Sequence, residues 1–134
     1  MSILALALAL AAPPQPGAPA IAGTWRLQNE KALVRIAPCG EHMCGKITRI
    51  LKPLIYRKSH DLYNPDPALR GRSIVGITIL SDLDRDGDEW RGQVYDPVHG
   101  KTYRSVVSLG DDGKLRVKGC VTILCKTQIW ERAD

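Results

Sequence analysis

The chain contains no phenylalanine, and its 134 residues hold only three tryptophans and four tyrosines. An interior built without Phe is either aliphatic or packed solid around a few large rings. Aromatic platforms set among basic residues are what unstructured nucleic acid binds. With so few aromatics and no nucleic-acid motif, no nucleic-acid partner is expected. No apolar run approaches the length of a membrane-spanning helix, roughly 20 residues; the longest candidate, Ile3 to Ala12, is far too short. Only three histidines are present, and they form neither a His-x-His pair nor a readable Ser/His/Asp pattern. No sequence signature calls for a cofactor or a metal, and none is expected.

What is present begins with that short apolar run. Ile3 to Ala12 has the length of a secretory h-region, and small residues follow it, with Ala20-Ile21-Ala22 before Gly23 as the favoured cleavage site. The n-region has no Lys or Arg. Residues 1–22 are therefore read as a signal peptide and 23–134 as one mature domain, periplasmic or secreted. The net charge of +5 belongs to that domain, since residues 1–22 carry no charged side chain. Such a surplus permits weak contact with an anionic envelope surface. Nothing in the sequence asks for an oligomer, and a monomer is expected.

Four cysteines form two identical spacings, Cys39-x4-Cys44 and Cys120-x4-Cys125. In an oxidising compartment they read as two disulfides with three connectivities. A four-Cys zinc site is the rival reading, with His42 beside it. Two positions five apart along one extended strand lie about 16 Å apart, too far to bridge. If each pair flanks a hairpin loop (40–43 and 121–124), its members face each other. In an eight-stranded meander those two loops lie at opposite ends, which favours Cys39–Cys44 and Cys120–Cys125. One strand miscounted would bring the loops to the same end and restore the alternatives.

The mature segment reads as short strands between turns. They are Thr24 to Gln28, Ala32 to Pro38, Gly45 to Ile50, Ile74 to Leu80, Glu89 to Tyr95, Lys101 to Leu109, Lys114 to Gly119 and Lys126 to Arg132. Joined by short hairpins, eight such strands make an all-β, antiparallel up-and-down barrel with no exposed edges; an open sandwich is the alternative. Residues 52–72 interrupt the pattern with Pro53, Pro65 and Pro67 and are expected to form a loop or short-helix insert, with one helical turn from Pro67 to Arg70. Asp82 to Asp88 reads as a polar turn. Its spacing echoes the opening of a calcium loop, but Gln93 stands where the bidentate Glu belongs.

Several pieces carry a resemblance. Gly23-Thr24-Trp25 answered by Trp130-Glu131-Arg132 resembles the calycin, or lipocalin-like, barrels, in which a final Arg packs across a first-strand Trp. Trp25, Trp130 and Arg132 are thus expected to be structural. Cys44-Gly45-Lys46-Ile47, Asp61-x-x-Asn64-Pro65-Asp66-Pro67-x-Leu69-Arg70-x-Arg72, Trp90-x-Gly92-x-Val94-Tyr95-Asp96-Pro97, Gly100-Lys101-Thr102-Tyr103 and Leu115-x-Val117-x-Gly119 resemble, as a set, the bacterial domain of unknown function 2147 family. That resemblance implies an exported calycin-like barrel and no established activity. Its polar positions, mapped to Asp61, Asn64, Arg70, Tyr95, Asp96, Lys101 and Tyr103, are candidates for structure or for a ligand site, as is Arg72 in the insert. Three functions follow as expectations. The first is a binding module for a small apolar or amphipathic ligand, gated by the insert. The second is an envelope-interaction protein with a filled barrel, and the third is a hydrolase using insert residues such as His60 or Asp61.

Overall fold

In a computed structural model, which describes residues 20–52 and 59–134, eight antiparallel strands close on themselves in sequence order. They are β1 (Gly23–Arg26), β2 (Ala32–Cys39), β3 (His42–Ile50), β4 (Thr78–Asp86), β5 (Glu89–Asp96), β6 (Lys101–Leu109), β7 (Leu115–Val121) and β8 (Leu124–Arg132). Each strand pairs with the next, and β1 pairs with β8. Residues 1–19, on which most of the expected signal peptide falls, and residues 53–58 of the insert lie outside the described residues.

Side-chain alternation sorts the residues. Trp25, Val34, Ile36, Ile47, Leu80, Val107, Leu115, Val117 and Trp130 point inward and are buried. Burying each aliphatic side chain contributes about 1.5–3 kcal/mol. In β2 the inward phase is Val34 and Ile36, as the alternation predicts, while Pro38 at its end is exposed.

The seam that closes the barrel is short: β1 and β8 share the register pairs Trp25↔Arg132 and Arg26↔Glu131. The Arg132 guanidinium carbon lies 4.2 Å from the centroid of the Trp25 ring. Its two terminal nitrogens donate to Ala22 O at 3.0 Å and Ala20 O at 2.8 Å. Trp25 Nε1 donates to Ile21 O at 2.9 Å, and Ile21 itself is only 2% exposed. Ile21 and Ala22 therefore belong to the folded barrel. Both residues precede the boundary expected at Gly23, and they pack there because Trp25 recruits the backbone four positions before it.

Both disulfides form within their own hairpins, Cys39–Cys44 and Cys120–Cys125, and no described cysteine is free. The zinc reading of the four cysteines is thereby overturned. The loops are shorter than the expected four residues: the turns are 40–41 and 122–123. Cys120 and Cys125 sit directly opposite each other, whereas Cys39 opposes His42 and bridges diagonally to Cys44, which opposes Ala37.

The largest departure from expectation is β4. It starts at Thr78 rather than Ile74 and runs through Asp86, so the acidic segment is strand and not turn. The ladder to β5 shifts between Ser81 and Asp84, where Asp82 has a φ of 54°. Such a bulge re-phases a strand and hides its continuation from a period-2 reading. The carboxylates lie along an extended strand instead of wrapping an ion. Asp84 accepts from His42 Nδ1 at 2.5 Å, which lifts that imidazole above its ordinary value, and Asp86 pairs with Arg91 at 2.6 Å.

Replacing Arg132 by Ala is expected to lower stability by about 1–2 kcal/mol in urea unfolding, through loss of the cation–π contact and of two bonds to backbone carbonyls. Arg132→Lys should recover less than half of that, because an ammonium cannot reach both carbonyls from a position over the ring.

Candidate functional site

Two neighbouring structures occupy the barrel end that carries the β3–β4, β5–β6 and β7–β8 connections. One is a polar latch on the outer wall and the other is a hollow inside it.

The latch is built around Asp61, which is completely buried. Residues 59–61 and 72–74 run beside each other through the bridge His60↔Ser73 and the bonds from Asp61 N to Arg72 O and from Ile74 N to Ser59 O. Between them, Pro67–Leu69 forms a single 3-10 turn, as the sequence predicts. Asp66 caps it by accepting from Ala68 N at 3.0 Å, with Pro at the first position. A carboxylate taken out of water must be fully partnered, and this one is. Tyr95 Oη donates to Oδ1 at 2.5 Å, while Asn64 Nδ2 at 2.8 Å and Arg72 Nε at 2.9 Å donate to Oδ2. The other end of Asn64 accepts from Asp66 N at 2.8 Å, and Arg70 Nε donates to Asn64 O at 2.8 Å. Arg72 also lies over the Tyr95 ring at 5.9 Å. Partial burial, and then the hydrogen bond to Asp61, push the Tyr95 phenol above its ordinary value.

A second contact presses the insert onto the barrel. In the β5–β6 turn, Gly100 has a φ of +65° and its α-carbon lies against Tyr63, so that a β-carbon there would overlap Tyr63 O. Asp96 shapes the same turn by accepting from Val98 N at 2.9 Å and pairing with His99 Nδ1 at 2.6 Å.

The hollow lies on the inner face of β5 to β8 and has a volume of about 540 Å³. Its apolar wall is Val94, Val117, Val121, Leu124 and Trp130, and its polar groups are Asp96, Tyr103, Lys126, Gln128, His99 and Lys31. Nearly all the strand residues in it share the inward parity of the barrel core. Gly119 is part of its wall: a β-carbon there would meet Val94 Cγ1 at 3.5 Å and Tyr103 Cβ at 3.7 Å, in ordinary contact and without overlap. Ser105 opposes both Gly92 and Gly119 in the ladder. It is 2% exposed, and its hydroxyl is buried without a hydrogen-bond partner among the described residues. A second hollow, about 510 Å³, lies between the 3-10 turn Gln28–Glu30 and β8; Arg26, Glu30, Lys114 and Glu131 line it, and it shares no lining residue with the first.

The eight polar residues singled out from the sequence thus divide. Asp61, Asn64, Arg70, Arg72 and Tyr95 come together in the latch, where they bind one another or the insert backbone. Asp96 and Tyr103 line the hollow, and Lys101 is exposed at the start of β6, opposite Asp96 in the ladder. None of residues 59–72 lines the hollow. Among the residues that line the hollow, sequence reading misses Gly119, Lys126 and Gln128. Their only signal is period-2 alternation, which marks an inward position without saying whether space is left beside it.

The model of a family described as "uncharacterized protein conserved in bacteria (DUF2147)" matches residues 23–132, and the chain belongs to that family. Among solved structures, the chain is similar to protein HP1028 from the human pathogen Helicobacter pylori, which is described as belonging to the lipocalin family. The TM-score is 0.71 at 25% sequence identity, over 84% of this chain and 82% of that one. No curated protein matches the chain.

The raised Tyr95 phenol has a pH consequence. The unfolded chain releases this proton near the ordinary value of 10.0 while the folded chain keeps it, so its contribution is complete below that pH and is lost above it. Stability should therefore fall as pH rises from 9 to 11. In Tyr95→Phe the slope above pH 10 should be shallower by about 1 kcal/mol per pH unit, with a loss of about 1–2 kcal/mol at pH 7 from the missing bond. Urea unfolding of both proteins across that range checks this.

Proposed function

We propose that this DUF2147 barrel is an exported binding module whose inner hollow takes a small apolar or amphipathic molecule. The observation that carries the reading is the hollow itself. A volume of about 540 Å³ walled by Val94, Val117, Val121, Leu124 and Trp130 is within the range of small-molecule sites. Close packing leaves few voids in a protein interior, and this one includes a residue without a side chain, Gly119, in its wall. Asp96, Tyr103, Lys126 and Gln128 offer further polar contacts towards the opening. The latch residues act at one remove, by holding the β5–β6 turn and the insert in place beside the hollow. Two disulfides in a chain of a bacterial family favour the periplasm or the exterior over the cytoplasm. The likeness to a protein described as a lipocalin agrees with a barrel used for binding.

Fluorescence titration with N-phenyl-1-naphthylamine and with a dansylated fatty acid tests this. Wild-type protein should bind at least one of them in the micromolar range with a blue shift. Gly119→Leu, which fills the space towards Val94 and Tyr103, should weaken binding about tenfold, or about 1.4 kcal/mol, without lowering Tm. No binding by the wild type, or equal binding by a well-folded Gly119→Leu protein, would refute the reading.

A further inference from the structure

We infer that the open end of the barrel docks on an anionic lipid bilayer, with the tip of the β7–β8 hairpin as its apolar contact. The first observation is an exposed aliphatic cluster. Ile123, in the two-residue turn, is 92% exposed, and Val121 and Leu124, which flank it at the strand ends and rim the hollow, are 55% and 75% exposed. Scattered surface aliphatics need no explanation, whereas three at one tip do. The tip has a fixed shape. The Cys120–Cys125 bond closes its base, and an Arg104 side-chain nitrogen donates to Thr122 O across from β6. A rigid tip loses little conformational freedom when it binds.

The second observation is the distribution of charge, which selects the partner. From Pro97 to Gly110 and from Gly113 to Trp130 the chain has no Asp or Glu, and Lys101, Arg104, Lys118 and Lys126 lie on the strands leading to the tip. Most acidic turn residues lie at the other end of the barrel: Glu41 between β2 and β3, Asp88 between β4 and β5 with Asp86 beside it, and Asp111 and Asp112 between β6 and β7; at the open end Glu30, Asp66 and Asp96 are outweighed by Lys31, Lys52, Arg70, Arg72, Lys101 and Lys126. The molecule is therefore polarised along its axis, basic at the open end and acidic at the closed one. A negative surface attracts the open end and repels the other. Pairing of two copies tip to tip would bring like charges together. Apolar side chains ringed by Lys and Arg are what an anionic bilayer interface accepts. Leu62 and Tyr63, exposed on the latched insert, add apolar area on the same side, since Tyr63 rests on the β5–β6 turn. The hollow opens at this end, so a docked barrel presents it to the acyl layer.

Co-sedimentation of the purified protein with vesicles tests the inference. Vesicles of phosphatidylglycerol and phosphatidylethanolamine should bind the protein about tenfold more strongly than phosphatidylcholine vesicles, and 0.5 M NaCl should remove most of the difference. Ile123→Asp and Lys118→Glu, neither of which lines the hollow, should each reduce binding about fivefold to tenfold, with Tm and naphthylamine binding unchanged. Loss of vesicle binding with dye binding retained separates this surface from the hollow. Equal partition onto neutral and anionic vesicles, binding indifferent to Ile123→Asp, or sedimentation equilibrium showing a dimer that Ile123→Asp dissolves would each overturn it.

Discussion

Everything in this molecule depends on closure of the sheet at its shortest seam. β1 has four residues and meets β8 through two register pairs. So short a ladder is a weak join, and the side chains supply what the backbone does not. Trp25 fills the interior behind the seam, Arg132 covers the indole face, and both reach back to the carbonyls of residues 20–22. Closure then makes parity mean inside or outside for every strand. Without it, Val94 and Val117 would lie on one face of an open sheet, and there would be no hollow for them to line.

Given closure, three consecutive residues of β5 do three jobs. Val94 points inward and forms part of the apolar wall. Tyr95 points outward and binds the buried Asp61 carboxylate, fastening the insert to the wall. Asp96 points inward again and shapes the turn on which Tyr63 rests. The latch and the hollow thus share a strand but not a face. A change at Tyr95 acts on the stability of the insert, and a change at Val94 acts on the hollow. The barrel is filled elsewhere by Trp25, Leu80, Val107 and Leu115; space remains beside Gly119, between Val94, Val117 and Gln128.

The barrel and the hairpin disulfides were legible in the sequence because each rests on local rules: alternation, turn residues, and the reach of one disulfide; the pairing of Trp25 with Arg132 was legible only through the resemblance to calycin barrels. The course of β4 was not legible, because the bulge near Asp82 breaks the alternation that marks a strand. The latch was legible only as a cluster of polar residues near 61–72 and 95–103. Its arrangement depends on Tyr95 meeting Asp61 across 34 positions, which no local pattern encodes. The hollow was least legible of all, since Val117, Gly119 and Gln128 alternate as filled core positions do. The inclusion of Ile21 in the core follows from a single bond, Trp25 Nε1 to its carbonyl, and the small residues around it resemble a cleavage site regardless.

The central claim is that the space beside Gly119 is a ligand site and not a packing fault. The most direct test is native mass spectrometry of the protein isolated, without detergent, from its own bacterium. A reproducible adduct of one or a few related amphipathic molecules, absent from the Gly119→Leu protein, is the predicted result. Bare protein mass in repeated preparations, or the same adduct on Gly119→Leu, would contradict it.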